Sequence, residues 1–137
     1  MEVLVRGYKA EDLPMVFDSW LKDWRTSKWA GCIPNNLYFE TQRTLIEDLI
    51  ARGAVIQIAY PSGREDIILG WACAEAKEGK TVLHYLYTKD PFLGLGVSNL
   101  LLASLPGEKP GFITHRLQGK EYKEWRHAPE IARRKSL

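Results

Sequence analysis

The sequence predicts an α/β (α+β) fold on a mixed sheet, with elements in the order β-α-α-β-β-β-α-β-α. Three observations carry this. Apolar residues recur at helical spacing in two early segments, three β-rich runs separated by turn signals follow, and a later strand ends in a Gly-x-Gly turn that opens an apolar helix. With 137 residues, 45% of them hydrophobic and 26% charged, the chain is sized for one globular domain over residues 1–137.

The first strand is expected within Met1–Lys9, where Val3, Leu4 and Val5 precede Gly7. A helix follows, with acidic Glu11 and Asp12 in its first turn and Pro14 where a missing N–H is tolerated. Its core face is Leu13, Val16, Phe17, Trp20, Leu21 and Trp24. Residues 27–36, with Gly31, Pro34 and two asparagines, read as a loop. A second helix runs from about Tyr38 to Arg52 on a stripe of Leu45, Ile46, Leu49 and Ile50, with Gly53 closing it. Ala54–Tyr60, Ile67–Ala76 and Thr81–Thr88 then read as a three-stranded meander. Val97–Leu105 forms the next helix and Pro106–Pro110 ends it. Phe112–Arg116 is the last strand, parallel to Thr81–Thr88 through a right-handed crossover. The segment Lys120–Arg133 has helical composition interrupted at Pro129.

Composition removes several function classes. The net charge is +2, from 19 basic and 17 acidic residues, so a polyanion-binding surface and hence nucleic acid are not expected. The basic run Arg133-Arg134-Lys135 reads as a solvated terminus. Cys32 and Cys73 fit neither a disulfide framework nor metal spacing, and His115 and His127 pair with no ligand at metal spacing, so no metal is expected. The cysteine usage suits a reducing cytoplasm. No secretory leader pattern and no membrane-length apolar run is present, so no membrane association is expected.

The most informative stretch is Tyr85 to Leu102. A strand that stops at Gly94-Leu95-Gly96 and opens a helix leaves backbone N–H groups free at the positive end of the helix dipole, an arrangement suited to a pyrophosphate. Together with Leu83-His84-Tyr85-Leu86-Tyr87-Thr88 and the Leu100-Leu101-Leu102 helix, it resembles the GCN5-related N-acetyltransferase (GNAT) superfamily. The resemblance spans roughly residues 2–116 by order of elements. Of the superfamily's Arg/Gln-x-x-Gly-x-Gly/Ala signature, both glycine positions match, and Pro91 stands at the Arg/Gln position. The early Ser19-Trp20-Leu21 is similar to small acetyltransferase-like proteins carried by tailed phages, which would place the chain in a host cytoplasm.

The resemblance implies acetyl-CoA as co-substrate, bound in a cleft where two parallel strands splay. It places the pantetheine arm on the backbone of Leu86, Tyr87 and Thr88, and the pyrophosphate on the amides of Leu93, Gly94, Leu95, Gly96 and Val97. The loop between the first two helices then borders the acceptor, which brings forward Trp29 and Cys32. Acetyl transfer to an amine needs a base, an oxyanion donor and an acid for the leaving thiolate. His84 on the cleft strand is one candidate base, and its other reading is a hydrogen-bonded core histidine. Glu75 on the neighbouring strand is another, acting through water, and its other reading is a solvated outward carboxylate. Tyr122 lies seven positions after His115, the spacing at which the superfamily places its thiolate-protonating tyrosine after an Asn. A tyrosine packed on an amphipathic helix is the alternative.

Two function readings therefore stand. One is an N-acyltransferase acting on a small-molecule or protein amine by direct attack. The other is a catalytically inactive GNAT-fold binding or structural protein, such as a phage component. The second draws on Pro91, on the apolar loop residues Phe92, Leu93 and Leu95 with Lys89 the nearby cation, and on a shortened C-terminus. Only 21 residues follow Arg116 where the superfamily adds two more strands, so a homodimer could complete the acceptor side.

Overall fold

The computed structural model describes residues 2–27, 29–30, 33–117 and 122–133. Six strands form one sheet in the order β1 (Val3–Gly7), β2 (Val55–Pro61), β3 (Gly70–Lys77), β4 (Lys80–Thr88), β5 (Glu108–Ile113) and β6 (Arg126–His127). The first four strands pair antiparallel, and β5 and β6 are added in parallel. The meander and the parallel crossover thus stand as the sequence predicts.

Helices α1 (Leu13–Arg25) and α2 (Asn35–Ala51) cover one face of the sheet, and α3 (Val97–Ser104) covers the other. Strand alternation sorts the residues between the two faces. Trp71 and Cys73 of β3 pack with Val16, Trp20 and Leu21 of α1 and with Tyr38, Ile46 and Leu49 of α2. Between them, Ala72 and Ala74 turn to the other side, where their small side chains admit Val97 and Leu101 of α3. The α1 stripe is the expected one. Helix α2 starts at Asn35, earlier than its periodicity indicated, because the Tyr38 amide already bonds the Pro34 carbonyl at 2.9 Å. Gly53, at φ 90°, closes that helix as expected.

Two segments differ from expectation. The last long strand begins at Glu108 rather than Phe112, so most of Pro106–Pro110 belongs to the sheet approach. β6 pairs only with Phe112 and Ile113, which leaves the Pro110 end of β5 open on that side, where a strand proline is tolerated. There β5 lies so close to β4 that a Cβ on Gly111 would fall 2.1 Å from the Thr81 carbonyl oxygen. The C-terminal helix does not form among the described residues. Arg126–His127 joins the sheet, and Pro129–Ile131 makes a 3₁₀ turn that packs Ile131 on Val82. Pro129 breaks the helical ladder, and the strand next to β5 offers the backbone partners instead. Among the described residues, no helix is long and apolar enough to cross a membrane.

Candidate functional site

β4 and β5 run together only as far as Leu83 and Ile113, and the last backbone–backbone bond at this seam is from the Thr114 amide to the Leu83 carbonyl at 3.1 Å. Beyond that point the strands part. The gap opens as a cleft of about 390 Å³, floored by Tyr85, Leu86, Tyr87 and Thr88 and walled by Arg116, Leu117 and Tyr122. Asp23, Thr26, Ser27 and Trp29 close one end; Asp90, Leu93 and Ser98 lie at the glycine-turn end.

The backbone of the floor alternates. The Lys89 amide bonds the Leu69 carbonyl on the β3 side at 2.9 Å, and the Tyr87 carbonyl lies close enough to Gly70 to clash with any Cβ there. Tyr87 therefore uses its backbone on β3. By alternation, Leu86 and Thr88 turn their N–H and C=O groups into the cleft. Of the three residues expected to offer backbone, two do so, and Tyr87 contributes its side chain alone.

At the turn, Gly94 and Gly96 both have φ of 81°, a left-handed conformation that favours glycine, and a Cβ on either would meet open space. Gly96 is the N-cap of α3, so no side chain serves the helix start. The first intrahelical bond runs from the Leu100 amide to the Gly96 carbonyl at 3.1 Å, which leaves the earlier amides without helical partners. Leu93 does not share this property, because its amide already donates to the Asp90 carbonyl at 3.2 Å. The cradle is therefore Gly94, Leu95, Gly96 and Val97. The Val97 side chain itself is buried against the sheet, and Leu95 is exposed.

His84 and Glu75 are brought together, but away from the cleft lining. His84 is the extra residue of a β-bulge, since Cys73 pairs with Tyr85 and Ala74 with Leu83. Its ring is fully buried, with Nε2 2.7 Å from Glu75 Oε1 and Nδ1 3.0 Å from Thr114 Oγ1. Both ring nitrogens are thus engaged, and neither is presented to a substrate. Glu75 is no solvated carboxylate either: Arg52 Nε donates to it at 2.9 Å, and Arg52 Nη2 continues to the Ile131 carbonyl at 2.8 Å. Burial lowers the His84 pKa below its ordinary value against the pull of Glu75. Burial works to raise the Glu75 carboxyl, but the hydrogen bonds from His84 and Arg52 win and hold it low. With Glu75 ionised, His84 donates from Nε2 and accepts at Nδ1 from the Thr114 hydroxyl. The Thr114 oxygen can then accept from His115 Nδ1, 3.1 Å away. Burial lowers His115 to about 3, and its ring stands edge-on to Trp24 at 4.9 Å.

Tyr122 and Trp29 do line the cleft, Tyr122 on the wall facing β4. Cys32 lies outside the described residues. The sequence reading missed Asp23, which accepts a 2.5 Å bond from the Tyr85 hydroxyl. Burial, then the bonded Asp23, push the Tyr85 hydroxyl well above its ordinary range, so it stays a donor. One signal was available: an aspartate in the last turn of a helix opposes the dipole and needs another reason to be there. Among the described residues, no group of three or more His, Cys, Asp or Glu gathers as a metal site.

Solved structures share this architecture. A Pyrococcus furiosus protein described as an acetyl transferase matches 74% of this chain and 70% of its own at TM-score 0.56 and 18% identity. The fold is that of the GNAT acyltransferases. The Corynebacterium glutamicum structure titled histone acetyltransferase HPA2 and related acetyltransferase matches 75% and 69% at TM-score 0.56 and 22% identity. The PaiA N-acetyltransferase of Thermoplasma acidophilum, solved in complex with coenzyme A, matches 75% and 69% at TM-score 0.51 and 17% identity. Other neighbours are spanned less fully, down to 62% of their length. No protein-family model and no curated protein matches the sequence.

Proposed function

We propose that the chain is an N-acyltransferase that moves an acetyl group from acetyl-CoA to an amine by direct attack. The parting of β4 from β5 after Leu83 and Ile113 carries this reading, because it leaves Leu86 and Thr88 with unpaired backbone inside a cleft. An extended pantetheine amide can complete that edge as an added strand would. The open amides at Gly94–Val97 fit a diphosphate at the start of α3. Acetyl-CoA supplies an activated thioester carbonyl. The chain's own contribution is to orient it, and Tyr122, a lining residue of the opposite wall, is the group proposed to return a proton to the departing sulfur. His84, buried behind the floor, and its half-buried partner Glu75 support the bulge that shapes this edge. The Asn position of the superfamily pattern, filled by His115, serves the same buried network.

A second reading rests on the glycine turn itself. Leu93, Leu95 and Leu100 are 59%, 57% and 43% exposed around it, an apolar rim that suits a GNAT-fold binding or structural protein without catalysis.

Thermal shift with acetyl-CoA tests the first reading. Ligand at one hundred times its Kd adds about 2.7 kcal/mol, a shift of several degrees in a domain of this size. Gly96→Glu is expected to abolish the shift by filling and charging the cradle and by forcing a side chain onto a positive φ. No shift in the wild type overturns the acyl-CoA reading; an unchanged shift in the variant overturns the location. Binding without acetyl transfer to any amine favours the second reading.

A further inference from the structure

Among the described residues, the acceptor end of the cleft brings a carboxylate and an aromatic ring together. Asp23, Thr26, Ser27 and Trp29 line it, all at or just beyond the C-terminus of α1, where the helix dipole is negative. Asp23 is exposed to the cleft, and the Tyr85 hydroxyl bonds one of its oxygens, Oδ2, which fixes the carboxylate against the floor. The two cations in the last turn of α1 are spent elsewhere. Arg25 bonds Asn35 Oδ1 at 2.7 Å and the Ala30 carbonyl at 3.0 Å, with its guanidinium over the Tyr38 ring. Lys22 pairs with Asp18 at 3.2 Å. The Thr26 and Ser27 hydroxyls donate back to the carbonyls of Asp23 and Trp24. Trp29, which lines the cleft, stacks on Trp24 behind it at 5.9 Å between ring centroids and 14° between planes. Among the described residues of the cleft, the one cation is Arg116, on the far wall.

We propose that this end selects a small organic amine that arrives as a cation and has no carboxylate of its own, held by Asp23 and by the indole wall at Trp29. A carboxylate and an aromatic face attract an ammonium additively, and the low accessibility of the floor strengthens both. The inference rests on the acyl-transfer reading. In the transfer, the ammonium releases one proton to solvent and its nitrogen attacks the thioester carbon. The C–N bond forms, the C–S bond breaks, and the second amine proton ends on the departing thiol, which Tyr122 faces. An amino acid would bring its carboxylate against Asp23 and the negative end of α1, and is disfavoured for that reason.

Three acceptors of matched length test this: 1,4-diaminobutane, 1-aminobutane and 4-aminobutanoate, each titrated calorimetrically into the protein–coenzyme A complex and each assayed with acetyl-CoA. The two amines without a carboxylate are expected to bind at least about tenfold more tightly than 4-aminobutanoate, with the diamine first. Asp23→Asn should collapse that ratio to within about threefold, and Trp29→Leu should weaken the amines while sparing coenzyme A. Equal or tighter binding of 4-aminobutanoate, no binding of either amine, or a ratio that Asp23→Asn leaves intact overturns the proposal. The coenzyme A titration separates the outcomes: if it fails in the wild type, the acyl-CoA reading has failed; if it succeeds while the amines fail, only the acceptor assignment has.

Discussion

The molecule holds two carboxylates tied to a ring-bearing donor, Asp23 with Tyr85 and Glu75 with His84, and it treats them in opposite ways. Asp23 sits at the mouth of the cleft, with the Tyr85 hydroxyl on one oxygen. Glu75 is clamped by both Arg52 and His84, and His84 has no exposed surface at all. His84 and Tyr85 are consecutive on β4, yet the bulge at His84 decides which of them takes part in the cleft. A bulge adds one residue and so reverses the facing of everything after it. Residue type therefore did not determine accessibility here. A histidine, the better general base in isolation, became scaffold, and a tyrosine became the floor of the site.

Breaking the His84–Glu75 pair should have the largest effect. His84→Ala empties a fully buried ring site and takes one hydrogen bond each from Thr114 Oγ1 and Glu75 Oε1, which keep His115 and Arg52 as partners, so a loss of about 2–4 kcal/mol is expected, read as a lowered midpoint in urea unfolding. A loss below about 1 kcal/mol would mean that the network is not what holds the bulge.

Acid should act next, and on the same pair. His84 and His115 have folded pKa values lowered by burial, so each contributes stability that is fully present above the unfolded value near 6.5. As pH falls below that, the unfolded chain binds protons that the folded chain refuses. Stability then drops by up to about 1.4 kcal/mol per pH unit for each group, continuing toward about 3 for His115. Glu75 and Asp12, both held low, add to the loss at more acidic pH. Melting from pH 7.5 to 5 should show the early part of this decline, and His115→Phe should make it shallower, leaving the His84 share. A flat wild-type profile would refute the buried neutral assignment.

The smallest stability effect belongs to the open pair. Asp23→Asn keeps an acceptor for the Tyr85 hydroxyl, so the midpoint should move by less than about 3 °C even as amine binding falls. A large destabilisation would show that Asp23 is structural, and would erase the contrast between the two pairs.

Much of the fold was legible from the chain. The α1 stripe, the meander, the glycine turn and the parallel crossover all follow from periodicity and turn chemistry, which act between near neighbours. The open backbone at Gly94 and Gly96 was legible from turn chemistry, and that at Leu86 and Thr88 only through the resemblance. Tyr87 and Leu93 failed because alternation and a single turn bond consume their backbone groups, details that depend on register.

The sequence by itself determined the order of elements, the positive φ turn ahead of α3 and the absence of a side-chain cap there, since each is fixed by the residues on the spot. Only the tertiary structure decided that β6 replaces a terminal helix, that His84 is sealed by Glu75 and Thr114, and that Asp23 meets Tyr85 across 62 positions of sequence. Those outcomes depend on where a bulge falls and where two strands separate. Both are set by packing between distant segments, which no local pattern encodes.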